Sequence, residues 1–174
     1  MMPSIELRLA TMQRALREVI LPAIDRDNPL AREQAQLLVA HLDLIGLQWR
    51  DAQACEAAAA RAMTTLAARL LAEVTGGAQT DAALTALADV LARCETAGMV
   101  PTATRATLAA AIDTLVGAVY ADGDAAARTG MADAILAHAA REARRDRAWF
   151  AANGMDPERA SLPDLATLRA DLGG

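Results

Sequence analysis

Aromatic side chains are nearly missing from this chain. Its 174 residues include two tryptophans, one tyrosine and one phenylalanine. β-Branched residues are sparse as well, so the material that strands favour is in short supply. Lysine is absent, and every basic residue is arginine. A guanidinium offers a planar fork for anions that ammonium lacks, but alanine, arginine and glycine are enriched together, the pattern that codon bias produces. Serine occurs only at Ser4 and Ser161, both at predicted helix starts, and no Gly-x-Ser-x-Gly turn is present. Nucleophilic catalysis therefore has no support, and neither a phosphate-cradling glycine loop nor a dinucleotide fingerprint occurs. No catalytic residue and no cofactor is assigned, and the chain reads as a non-enzyme.

Positive charge is also scarce relative to negative. Seventeen basic residues face 22 acidic ones, for a net charge of −5. That balance argues against nucleic acid and against an anionic membrane, where attraction to phosphate dominates affinity. The segments that might serve as recognition helices carry acids and alanines where bases would be read. The longest membrane-like run, Leu108 to Ala121, is short of the ~20 apolar residues a span needs and carries Asp113. Two cysteines, Cys55 and Cys94, fall inside predicted helices with no CxxC. They read as reduced, half-buried thiols of a cytoplasmic protein, and no secretory signal is visible at the N-terminus.

What the chain has in abundance is alanine, about a quarter of all residues. Alanine is the strongest helix former, and the expectation is an all-α fold in one domain, residues 1–174. Each buried methylene contributes only ~0.8 kcal/mol, so alanine seams gain little per residue. They compensate by letting helix axes approach at the close end of the usual range.

Punctuation divides the chain into five main helices, about 4–21, 29–75, 81–97, 102–121 and 124–152, and a short C-terminal helix at about 162–172. Ser4 can cap the first, whose stripe is Ile5, Leu9, Met12, Leu16, Val19 and Ala23, and Pro22 should end or kink it near Leu21. Asn28-Pro29 opens the second, and Gly76-Gly77 stops it. Thr80 begins the third, with Leu84, Leu87 and Leu91 inward. Pro101-Thr102 opens the fourth, with Leu108, Ile112, Leu115 and Val119 on one face. Gly123 closes it, Asp124 caps the fifth, and Asn153-Gly154 stops that one. Ser161 and Asp164 form an acidic capping box for the tail. Short connections make this an elongated antiparallel bundle.

The second helix is the outlier. Gly46 is its only glycine, and apolar residues recur at Leu38, Leu42, Ile45, Trp49, Ala52, Ala59, Met63, Leu66 and Leu70. The stripe keeps phase across Gly46, which predicts a continuous or mildly bent rod roughly 70 Å long. A compact domain of this length is only about 40 Å across. The helix therefore overruns its own domain unless it breaks, the bundle is elongated, or a second copy of the chain covers the excess. Glu56 lands on the same seam, where either it pairs with an arginine or the seam drifts by one residue to Cys55.

The fifth helix carries the one local composition that stands apart. Arg141, Arg144, Arg145 and Arg147 crowd its last turns beside Trp149 and Phe150. His138, Glu142, Arg145 and Trp149 share a stripe and form the candidate ligand-binding group: an imidazole, a carboxylate, an anion fork and a stacking surface. A neighbouring stripe of Ala132, Leu136, Ala139, Ala143 and Phe150 is expected to be the core face, leaving the polar residues on its rim. The Glu-x-x-His spacing of di-metal bundles is missing, since Leu38 and Ile135 stand three before the two histidines, and no metal is assigned. The functional expectation is protein–protein contact, as a homodimer along the second helix or with a partner protein. The alternative is a bundle that holds a small apolar or acyl-type anionic ligand between helices.

Overall fold

The computed structural model describes residues 3–154, 156–164 and 166–168. They are all-α, with no strand among them, and none of the helices is long and apolar enough to cross a membrane. The α-helices are α1 (Ile5–Ala15), α2 (Leu21–Ala23), α3 (Pro29–Gln48), α4 (Ala52–Glu73), α5 (Ala78–Thr96), α6 (Pro101–Asp122) and α7 (Ala125–Phe150). They fall into two compact units. One holds residues 3–52 and 147–168, the other residues 53–146.

The predicted caps form. Ser4 Oγ accepts from the Leu7 amide at 3.2 Å, Asn28 Oδ1 from Ala31 at 3.0 Å and Asp124 Oδ1 from Ala127 at 2.7 Å. Gly154 closes the turn Ala151–Asn153 with φ +77, the left-handed conformation that favours glycine. The tail departs from the proposed box. Ser161 Oγ donates to the Glu158 carbonyl, while Asp164 alone accepts from the Thr167 amide at 2.7 Å. Residues 166–168 are helical, and the remainder of the predicted 162–172 helix lies outside the described residues.

Two boundaries differ from expectation for local reasons. Pro22 lies inside the first helix, not after it. Just ahead of it the Leu21 amide donates to the Leu16 carbonyl, a π-turn over Leu16–Ile20. Proline has no N–H and crowds the carbonyl four residues back, and the widened turn absorbs that conflict before α2 ends at Ala23. The predicted 29–75 rod is the larger correction. It passes through Gly46 intact but breaks three residues later, between Gln48 and Ala52. The Trp49 amide still reaches Ile45 at 2.9 Å, whereas Asp51 turns tightly onto the Gln48 carbonyl at 2.9 Å. Gln48 is buried and donates to the Trp149 carbonyl at 2.7 Å, and Asp51, a residue type that favours helix starts, immediately precedes α4. Three turn residues nearly complete one helical revolution, so the apolar stripe keeps its phase although the ladder is interrupted.

In the first unit α1 lies against α3. Asp43 accepts from Gln13 at 2.9 Å and from Arg17 at 2.7 Å, Arg50 pairs with Glu6 at 2.8 Å, and Leu9 and Ala35 are buried. Most of the α1 stripe is uncovered: Ile5, Met12 and Val19 are exposed. Arg147 clamps the tail through Asp156 at 2.8 Å and Glu158 at 2.9 Å.

The second unit holds the main core. Leu66 and Leu70 of α4, Leu87 of α5, Met131 and Ala134 of α7 and all four predicted positions of α6 meet there. Leu84 and Leu91 pack half-buried at its edge. At one end, Asp122 at the close of α6 caps the start of α5. Its carboxylate accepts from the Gln79 amide at 2.6 Å, and from the Thr80 amide and hydroxyl at 3.1 and 2.6 Å. This fixes α5 and α6 as an antiparallel pair, and starts α5 at Ala78, earlier than the predicted 81.

Candidate functional site

The inward face of α7 follows from its spacing. Ala127, Met131, Ala134 and His138 recur at three or four residues, and all are buried, His138 to 7% exposure. Leu136 and Phe150, placed on the expected core face, are instead 66% and 50% exposed. The polar stripe, not the alanine-rich one, faces inward. Both stripes carry apolar residues at helical spacing, and the packed neighbours, which composition does not reveal, decide between them.

Below His138 on the same face, Glu142 and Arg145 are largely buried, with side chains 18% and 14% exposed, and are joined by a hydrogen bond from Arg145 Nη2 to Glu142 Oε2. Arg145 Nε is buried and meets no acceptor among the described residues. Other elements complete the cluster. Arg105, in the first turns of α6, donates to Glu56 of α4 at 3.3 Å, so of the two alternatives Glu56 takes the arginine. Cys55, beside it on α4, is half-buried and free.

Burial sets the electrostatics. It pushes the His138 ring below its ordinary value of 6.5; Glu142 opposes that shift, and the guanidiniums of Arg141, Arg145 and Arg105 reinforce it. Burial also raises the Cys55 thiol, against the pull of Arg145. A thiol held protonated is a poor nucleophile. Glu142, the carboxylate that would orient the imidazole, is taken by Arg145, so the cluster does not make a poised acid–base pair. Among the described residues, no three of histidine, cysteine, aspartate and glutamate come together to hold a metal.

His138, Glu142 and Arg145 thus stand together in the second unit, while Trp149 belongs to the first. There Trp149 is half-buried beside a cleft of about 260 Å³, lined also by Ala148, Ala151, Leu162, Pro163 and Arg159. Arg147 is committed to Asp156 and Glu158, and Arg141 and Arg144 are exposed. Sequence reasoning missed Arg105 as a neighbour of His138, and its position in an ordinary first turn gave no signal. Neither a family model nor a curated protein nor a solved structure matches this chain.

Proposed function

We propose that this protein acts through protein–protein contact, as a homodimer joined along α3, and that it works in the cytoplasm as an elongated antiparallel bundle. The observation that carries the reading is the apolar ridge on α3. Leu30, Leu38 and Ile45 are 65%, 54% and 46% exposed, and with Leu37 they line one side of the helix at spacings of seven and eight. Monomeric proteins leave single apolar residues in water without consequence, but several on one side of a helix, here with the exposed Gln34 and His41 between them, mark a candidate contact surface. A second copy brings the same ridge, so the contact is self-complementary. The free thiols Cys55 and Cys94 fit a reducing compartment.

Light scattering behind size exclusion tests this. The expected mass at micromolar concentration is twice the 18.2 kDa of the chain, falling to the monomer in Leu38→Glu with Ile45→Glu. A wild-type monomer would overturn the proposal.

A second reading rests on the cleft beside Trp149, where alanines leave room and Arg159 offers a charge to the head group of a small apolar anion. Native mass spectrometry with a medium-chain fatty acid tests it: a one-to-one adduct lost in Arg159→Gln supports the reading, and no adduct dismisses it.

A further inference from the structure

Along one line of α7 in the second unit, His138, Glu142 and Arg145 follow each other down the buried face. The charges of that line are already matched. Glu142 holds Arg145 and Glu56 holds Arg105. One guanidinium nitrogen of Arg145 is buried without an acceptor among the described residues. His138 is the one member that changes charge near neutral pH.

We propose that His138 is a proton-operated latch for residues 138–146 of α7: the neutral imidazole lets that stretch stay packed in the second unit, and the imidazolium releases it. The charged groups whose fields reach the ring are Glu142, Arg141 and Arg145 on α7 and Arg105 on α6, Arg141 being exposed and Arg105 bonded to Glu56 of α4. A new positive charge therefore enters a buried site where guanidiniums outnumber carboxylates. Glu142 offsets part of that charge, but burial of the ring, 7% exposed, outweighs it. Opening the helix lets water reach the ring and separates it from Arg105. Burial holds the folded ring below its ordinary value, so the neutral form is secure at neutral pH and the latch opens on the acid side of 6.5. Linkage gives the sign: the open state binds the proton more readily, so lowering the pH favours it.

Proton–nitrogen spectra of the imidazoles, assigned with His41→Gln, should show His138 titrating on the acid side of 6.5. Hydrogen exchange, corrected for intrinsic rates, should show protection lost over residues 138–146 in step with the His138 titration, while the centre of α5 keeps its protection. His138→Gln should abolish that step. A His138 that titrates at or above 6.5 would overturn the proposal, as would the same acid loss in His138→Gln. Should that variant not fold, the wild-type coincidence of ring titration and amide exchange decides alone, and two separated midpoints count against the latch.

Discussion

Thr80 and Asp122 show how a single residue pair sets a helix boundary. Thr80 is fully buried, and its hydroxyl and amide both donate to the carboxylate at the end of α6. The approach is close enough that a methyl group on Gly77 would stand 2.7 Å from Asp122 Oδ2, so a larger residue there must push the carboxylate aside. Thr80→Val keeps the shape and removes one charged hydrogen bond, with an expected loss of about 1.5–3 kcal/mol in denaturant unfolding. Gly77→Ala should also destabilise, by displacing the carboxylate. Those hydrogen bonds from Thr80, with others from backbone amides, hold the Asp122 carboxyl below its ordinary 3.8. Its contribution is therefore complete above the unfolded value and is lost as the pH falls through the folded one. An acid titration of the unfolding midpoint should show this step weakened in Thr80→Val. None of this is visible in the chain, because the cap and the helix it closes lie 42 residues apart. The caps that were legible, Ser4, Asn28 and Asp124, each reach an amide three residues on. A cap is readable from sequence when its partner is local.

At the scale of the element, periodicity resolves a face only when the helix has one strong stripe. In α6 Leu108, Ile112, Leu115 and Val119 form one stripe on a helix otherwise rich in alanine and threonine, and all four are buried as read. In α7 two weak stripes compete, and the one bearing His138 turned inward. The α3–α4 break was hidden for a related reason, since a three-residue turn leaves the spacing of apolar residues undisturbed. Mutations separate these cases. Leu115→Ala empties a fully buried position and should cost about 2–5 kcal/mol in thermal or denaturant unfolding. Leu136→Ala, on the exposed stripe of α7, should change stability by less than about 0.5 kcal/mol. Gly46 lies within α3 with open room: an added methyl group would meet only Gln13 Nε2, at 3.8 Å. Gly46→Ala should therefore stabilise the first unit by about 0.5–1 kcal/mol, measured by the same unfolding curves.

Across the whole molecule, apolar burial is divided unevenly. The second unit encloses thirteen buried hydrophobic residues in one cluster, from Leu66 to Ala134. In the first unit Leu9, Ala35, Ala148 and Leu168 are buried, while Ile5, Leu7, Met12, Val19 and the α3 ridge face water. Local opening costs least where little apolar surface is lost. Hydrogen exchange should rank the helices accordingly, with the centres of α5 and α6 slowest and α1 among the fastest. The dimer proposal adds a concentration dependence that a monomer lacks. Association stabilises only what it covers, and by mass action. Raising the protein from sub-micromolar to tens of micromolar should slow exchange in α3 while leaving the centres of α5 and α6 unchanged. The same dilution series on Leu38→Glu with Ile45→Glu should be flat. If α3 exchanges equally fast at both concentrations in the wild type, its ridge has no partner in a second copy. The apolar excess that the sequence displays between Pro29 and Gln48 then awaits a different protein.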